Sequence, residues 1–420
     1  MNEARKRIAV VGGGAAGYFG AIACANALRE AGVKSQVIVF EGSDKVLDKV
    51  RISGGGRCNV TNAQQDPREL VKFYPRGARE LRGPLTRFGP RETAEWFTAR
   101  GVELKTEADG RLFPVTDDSR TIVHCLKDAA RAAGVRVRIG IRIKALTRAE
   151  DGRIGLSLSD DTTEHFAAVL LATGGSRPAL KLALDAGHEI EPPVPSLFTF
   201  KISDDRLRGM QGVSFDKARL RLRAGAGKPL EETGAVLITH WGLSGPAVLR
   251  LSAWGARALF ESKYRARLLV SFIPGENEES LLAFLHREKD AHPKRTVRKY
   301  PHPDAPRRYW ENLCELAGIE PTQTWAEATK KQMQYLAREL GAAEFEITGK
   351  GEFKEEFVTC GGVRLKEVDF RTMQSKLLPG LYFAGEVLDV DALTGGFNFQ
   401  AAWTTSWIAG HAIAGSFAQE

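Results

Sequence analysis

The chain has 420 residues, 43% of them hydrophobic, which is enough to bury a large core across two or three domains. Its 60 basic and 52 acidic residues leave a formal charge of +8, too mild over this length to indicate a nucleic-acid protein, though it would help attract an anionic cofactor or substrate. No apolar run can span a bilayer, and five scattered cysteines lack any zinc or iron–sulfur spacing, so no metal and no membrane partner is expected and a reduced, cytoplasmic setting is the natural one.

The first predicted strand, Arg7 to Val11, runs into Gly12-Gly13-Gly14-Ala15-Ala16-Gly17 and then an alanine-rich segment at helical spacing. A second apolar run, Val37 to Phe40, ends in Glu41. Strand, glycine turn, helix, strand and acid in that order have the shape of a dinucleotide site. Gly12 permits the tight turn, Gly14 removes a Cβ from the path of a pyrophosphate, and Gly17 lets the helix pack closely. The helix start at Ala15 and Ala16 offers free N–H groups to phosphate. Glu41, with Gly42 after it, is placed to accept hydrogen bonds from ribose hydroxyls, and its charge disfavours a 2′-phosphate. The motif does not separate FAD from NAD.

Lys49 to Asn62 contains Ser53-Gly54-Gly55-Gly56-Arg57-Cys58-Asn59-Val60-Thr61-Asn62 and reads as neither helix nor strand. Three glycines followed by amides and hydroxyls suit backbone pressed against a flat ligand with a polar edge, such as a flavin; a surface loop is the plainer alternative. Cys58 is the thiol of most interest by position, although most unpaired cysteines are packing residues. A helix is predicted around Pro90 to Arg100, a hairpin turn at Asp109 to Pro114, and an amphipathic helix from Arg120 to Ala133. Val135 to Ile139 and Ile141 to Ile143 alternate as half-buried strands do. Ile154 to Leu158 and Thr163 to Ala172 form another strand pair, ending in Thr173-Gly174-Gly175, a second loop over the cofactor.

The texture changes at Glu191-Pro192-Pro193-Val194-Pro195. Short alternating runs (Phe198 to Ile202, Ala218 to Arg223, Ala235 to Thr239) indicate a β-rich module, and helices are predicted at Leu281 to Arg287 and Trp325 to Leu340. Between them Lys294 to Tyr300, with Arg307-Arg308-Tyr309-Trp310 beyond, is the one patch that could attract RNA; a solvated face is the expectation, and a nucleic-acid partner is not expected. β texture returns at Phe345 to Thr348 and Glu356 to Val363. Gly385-Glu386, Asp389-Val390-Asp391 and Thr394-Gly395-Gly396-Phe397-Asn398 then form a second glycine-rich centre before a helix from Gln400 to Ala414. A helix start there can stabilise charge on a reduced flavin. Two ligand-facing helix starts at opposite ends of the chain imply an elongated cofactor and an inserted middle. The domains expected are 1–190 with 346–420, and 191–345 as the insert.

Val10 to Gly17, Ile52 to Asn59, Gly110 to Pro114, Thr239-His240-Trp241-Gly242-Leu243-Ser244-Gly245-Pro246 and Gly385 to Asp391 together resemble the BaiN/YhiN (HI0933-like) family of bacterial FAD-dependent oxidoreductases, in order and over nearly the whole chain. The resemblance implies an α/β fold: a Rossmann-like FAD-binding domain of the glutathione-reductase superfamily, interrupted by an inserted β-barrel-like plus helical domain. It implies non-covalent FAD. The pyrophosphate would lie on Gly12 to Gly17, the ribose on Glu41 and adenine at the Ile143 backbone, with Arg57, Cys58 and Asn59 near the isoalloxazine. Asp391 and Gly396-Phe397-Asn398 would close over the ribityl and pyrimidine parts. Ala392 stands where such sequences carry glycine. The activity implied is hydride transfer through flavin N5 to or from a small organic substrate, either reduction of an unsaturated ketone or amine oxidation. No second glycine-motif unit is visible, so NAD(P)H would act as a transient electron donor from the substrate cleft. The alternatives are a non-catalytic flavin sensor or an RNA-associated flavoprotein. No catalytic acid or base is assigned; His240 is the candidate, and a structural histidine is the more usual case. The sequence does not indicate an oligomeric state.

Overall fold

The computed structural model describes residues 5–225, 227–351 and 358–418. The chain divides into two compact units, Met1–Pro193 with Thr359–Glu420, and Val194–Val358. The return to the first unit comes at Thr359, later than the β texture at Phe345 suggests, because Ala343–Ile347 pairs with Ala266–Ser271 inside the second unit. Of the expected strand from Glu356 to Val363, Glu356 and Phe357 lie outside the described residues; Val358–Val363 is a strand.

The first unit is built on a seven-stranded sheet. Its five parallel strands run in the order Leu381–Phe383, Ala168–Leu171, Lys6–Val11, Ser35–Phe40, Arg136–Arg138. A short antiparallel pair, Val368–Asp369 and Gln374–Ser375, extends one edge. Ile8, Ala9 and Val10 are fully buried, as continuous apolar strands covered on both faces should be. The register sets the site. Phe40, Val11, Leu171 and Phe383 lie in one row across four adjacent strands. The loops that begin just past that row are Gly12–Gly14, Glu41, Ala172–Gly175 and Ala384–Gly385. All of them open from the carboxyl edge of the sheet, where ligands of open α/β sheets bind.

Helix Ala15–Glu30 and the C-terminal helix Phe397–Ala418 cross with very little between them. A Cβ on Gly20 would stand 2.6 Å from Leu170 Cδ2 and 3.2 Å from Ser406 Cβ, and one on Gly410 would stand 2.7 Å from the Cys24 nitrogen. The small residues in both helices are therefore a packing requirement, whatever their helix propensity.

Three smaller features of this unit differ from expectation. Asp48–Gly56 opens as a helical turn, and from Ser53 to Gly56 the backbone leaves right-handed helical geometry. Val137 and Ile139 are 37% and 53% exposed, because Arg136–Arg138 is the edge strand. Thr163–Phe166 pairs with Ile154–Leu158, whereas Ala168–Leu171 turns into the parallel sheet, so the single expected strand is two.

The second unit is a seven-stranded antiparallel sheet. Ala343–Ile347 pairs with Ala266–Ser271, and two residues on Gly349–Lys350 pairs with Phe200–Lys201 at the opposite end of the strand order. One chain segment thus joins both edges, which gives the sheet its barrel character. Helices Glu278–Ala291, Arg307–Leu316 and Lys330–Gly341 complete it. The last begins at Lys330, after a capping box made by Thr329 and Gln332, so the buried Trp325 precedes it. Among the described residues no helix is long and apolar enough to cross a membrane.

Candidate functional site: a dinucleotide cradle at the carboxyl edge of the sheet

The first helix starts at Ala15 with Gly14 as its cap residue, no side-chain cap and no acid in its first turn. Its leading N–H groups and dipole are left for an anion. Gly12 has φ +114°, and a Cβ there would lie 2.3 Å from the Ala172 carbonyl oxygen. A Cβ on Gly17 would lie 1.8 Å from the Gly12 carbonyl oxygen. Gly14 differs from both: a Cβ there meets nothing within 4 Å. Two glycines let protein pack against protein, and the third faces open space.

Glu41 stands at the end of the neighbouring strand. Its Oε2 accepts from the Gly13 N–H at 2.7 Å and its Oε1 from the Ser43 N–H at 2.8 Å, which fixes the carboxylate while leaving lone pairs for two hydroxyls. Burial, and then the Glu41 charge, raise the pKa of the nearby Tyr18 phenol, which stays protonated. Gly140 and Ile141 donate to the Ser43 and Glu41 carbonyls at 2.9 and 3.0 Å, so the segment leading to Ile143 runs beside this acid; Gly42 faces Arg142.

Across the turn lies Thr173, whose hydroxyl is buried without a hydrogen-bond partner. A buried hydroxyl left unsatisfied costs about 1–3 kcal/mol, so this orphan, beside the Gly12 turn, is the strongest sign that a polar ligand completes the site. Positions beyond it also converge. Lys49 and Glu386, 337 residues apart, form an ion pair at 2.8 Å, and a Cβ on Gly174 would stand 3.9 Å from Glu386 Oε2 and 4.0 Å from Lys49 Nζ. The Glu386 carboxylate raises the Lys49 pKa, keeping it charged. Gly385 has φ +74° and approaches so closely that a Cβ would stand 2.8 Å from Ala16 Cβ.

The far end is formed by two loops joined to each other. Asn59, its amide oriented to satisfy its neighbours, accepts from the Gly396 N–H at 2.9 Å and donates to the Thr61 carbonyl at 2.9 Å. Asn62 donates to the Gly395 carbonyl at 3.1 Å, and the Trp403 indole donates to the Val60 carbonyl at 2.9 Å. Gly54, Gly55 and Gly56 all have positive φ, and Gly55 and Gly56 again present open space. Glu41, Gly14 and Thr173 thus sit on loops of one sheet edge, and a Cβ on Gly14, Gly55 or Gly56 would meet nothing within 4 Å, whereas one on Gly396 would stand 2.5 Å from the Thr61 carbonyl oxygen. The open glycines and the orphan hydroxyl fit an extended dinucleotide.

The HI0933-like protein Rossmann domain family matches residues 6–412. The chain belongs to that family. The matched domain is of the Rossmann type. It is similar to the 3-dehydro-bile acid delta(4,6)-reductase of Clostridium scindens, with 30% identity covering 97% of this chain and 99% of that one. It is also similar to the ribosomal RNA dihydrouridine synthase of Escherichia coli, with 29% identity covering 95% of each. A solved structure, 3-ketosteroid-delta4-(5alpha)-dehydrogenase from Rhodococcus jostii RHA1, aligns over 99% of this chain and 98% of its own at 13% identity and a TM-score of 0.49.

Several side chains of this family member are committed elsewhere. The Arg57 guanidinium pairs with Glu107 at 2.7 Å and lies 4.0 Å from the Phe113 ring centre, so only its backbone is left toward the site. Cys58 is fully buried at φ +60°, and burial pushes its thiol up to about 12. At neutral pH it is therefore a packing thiol. Thiol titration of the native protein should leave Cys58 unmodified on the timescale of exposed thiols, checked by peptide mapping; rapid labelling would reverse this assignment. His240 sits exposed on the tight turn between Leu230–Ile238 and Gly242–Ser244 in the second unit.

Sequence reasoning missed a third party to the far end, residues 73–76. Phe73 stacks on Phe397 with ring centres 4.3 Å apart, and the Tyr74 hydroxyl donates to the Phe397 carbonyl at 2.7 Å. Arg76 makes a two-pronged ion pair with Asp391, which is fully buried. The available signal was an aromatic–Pro–Arg run in a polar stretch. Asp391 is thus part of a buried ion pair at the site's far end. Asn398 bonds both the N–H and the carbonyl of Ala392, at 2.9 and 3.0 Å, and Ala392 does not have positive φ. Alanine therefore fits this loop without strain.

Proposed function

We propose that this chain holds FAD non-covalently at this site and uses it to reduce a carbon–carbon double bond conjugated to a carbonyl. One observation carries the reading. Two relatives that align over nearly their whole length, and over nearly all of this chain, bear names that describe the same operation, hydrogenation of a ring double bond next to a carbonyl. The site supplies the matching cofactor chemistry. When bound, FAD provides two-electron hydride exchange at N5.

The chain's own residues divide the remaining work. The N–H groups of the Gly14 to Gly17 turn hold the pyrophosphate, and Glu41 orients the ribose. Thr173 gains a partner for its hydroxyl. Asn59 and the backbone of Gly55, Gly56 and Gly396 meet the isoalloxazine edge, while the start of helix Phe397–Ala418 offers its dipole to developing negative charge. Overall, one hydride and one proton add across the double bond, and NAD(P)H, entering through the substrate cleft, is the donor we infer. Relatives named as reductive enzymes do not favour a sensor without turnover. Five cysteines that form no disulfide suit a cytoplasmic protein.

A second reading is favoured by the dihydrouridine synthase relative: the conjugated ring is a uracil within RNA. Anaerobic mixing of the holoenzyme with NADH or NADPH should bleach the flavin. A 3-oxo-4-ene steroid or a uridine-containing RNA added next should restore its colour, with the saturated product found by mass spectrometry. No bleaching by either nucleotide would remove NAD(P)H as donor. Bleaching without reoxidation by either acceptor would remove the conjugated-alkene reading.

A further inference from the structure

The basic segment of the second unit divides, side chain by side chain, into groups used by the fold and groups left outside. From 292 to 308 there are six lysines and arginines and one acid, Asp304. Three of the six serve the fold. Arg298 donates to the Ile319 carbonyl at 2.8 Å, Arg307 pairs with Glu311 at 2.8 Å, and Arg308 donates to the Gln211 carbonyl at 3.1 Å. The aromatic residues beyond them also point inward: Tyr309 and Trp310 are fully buried, so they are not the stacking surface that the linear run suggests.

Lys294, Arg295 and Lys299 are exposed and have no carboxylate within ion-pair distance among the described residues. Tyr300 is 43% exposed, with the Arg295 guanidinium 4.8 Å from its ring centre. The backbone beneath is held firmly. Val297 is fully buried; its N–H donates to the Gln323 carbonyl at 3.0 Å and its carbonyl accepts from the Trp310 indole at 3.0 Å. The Trp325 backbone N–H donates to the Arg295 carbonyl at 2.9 Å. A clamped irregular segment therefore projects three unneutralised cations around an arginine-backed aromatic ring.

We infer that this segment, centred on Lys294, Arg295, Lys299 and Tyr300, is the surface by which the protein grips single-stranded or looped RNA. The inference rests on the second reading above. The three cations take phosphates and release counterions. Tyr300 offers its ring to an unstacked base, a contact that duplex DNA does not provide and an acidic peptide does not use.

The test measures anisotropy of a fluorescein-labelled RNA stem-loop with a uridine-rich loop, titrated with full-length holoprotein over a salt series. Wild type should bind at physiological salt. Lys294→Glu/Arg295→Glu/Lys299→Glu should weaken binding at least about 10-fold and lower the slope of log affinity against log salt by about 2, three contacts at roughly 0.7 each. Tyr300→Ala should weaken binding about 10-fold with the slope unchanged, since stacking releases no counterions. Lys34→Glu/Lys127→Glu/Arg131→Glu, an equal charge change on exposed positions of the first unit, should shift affinity less than about 3-fold. Flavin content and thermal melting report that each variant is folded. The inference is overturned if wild type fails to bind, if the segment variant binds like wild type, if the control loses as much, or if poly-glutamate displaces the RNA as readily as unlabelled RNA does. RNA binding that depends on this segment without dihydrouridine formation would uphold the surface and defeat the substrate reading.

Discussion

Gly14→Val is expected to fold with near wild-type stability and to purify colourless, whereas Gly17→Ala and Gly12→Val should fail to fold normally. The three glycines share one motif but not one environment. A Cβ at Gly14 touches nothing, and the residue's φ of −86° and ψ of −167° are extended values that valine accepts. The protein therefore has no reason of its own to require glycine there. A ligand has one, because the valine side chain would stand in front of the helix N-terminus. Losing two charge-assisted hydrogen bonds to phosphate, at roughly 1.5–3 kcal/mol each, weakens flavin binding on the order of 100-fold to 10,000-fold. At Gly17 the added methyl would fall 1.8 Å from the Gly12 carbonyl oxygen, so the helix must move off the strand. Overpacking of this kind costs about 1–3 kcal/mol or more. Apoprotein melting and flavin titration separate the two classes. A yellow, fully loaded Gly14→Val protein would show that the open space belongs to something other than the cofactor.

The second large effect is expected at Arg76. Arg76→Met removes the guanidinium from a carboxylate that is fully buried, and breaking a buried pair on one side costs about 3–5 kcal/mol. In a chain of this size that corresponds to a drop in melting temperature of about 3–6 °C. The double variant Arg76→Met/Asp391→Asn should regain most of the loss, because the penalty comes from the stranded charge more than from the lost attraction. A single variant that melts with wild type, or a double variant that melts lower than the single, would contradict the pair's assigned role.

Legibility followed the distance over which each interaction acts. The first motif was readable because its requirements are local: Gly12, Gly17 and Glu41 lie within one strand–helix–strand unit and constrain one another. The hairpin at Asp109 to Pro114 and helix Ser119–Ala132 were readable for the same reason. Arg76 was not, since what gives it meaning is Asp391, 315 residues away. The turn at Asp48 to Ile52 was too short to display a helical period before the glycines ended it. Alternation marked Val135 to Ile139 correctly as extended, but not that an edge strand leaves Val137 and Ile139 open to solvent. In the basic segment a linear reading weighed every aromatic and cationic residue alike. Only packing shows that Trp310 anchors the segment while Tyr300 faces water.

The row formed by Phe40, Val11, Leu171 and Phe383 also sets an order of events during synthesis. Three of those strand ends leave the ribosome early; the fourth, and the helix that covers Gly20, follow only after the whole second unit has been made. At typical elongation rates that interval is roughly ten to thirty seconds. Throughout it the nascent first half carries an open sheet edge and an uncovered glycine–alanine helix face, with half of its cofactor cradle missing. On the binding mode proposed above, flavin loading would be a late event, and once complete it would stabilise both termini together through a ligand that neither holds alone.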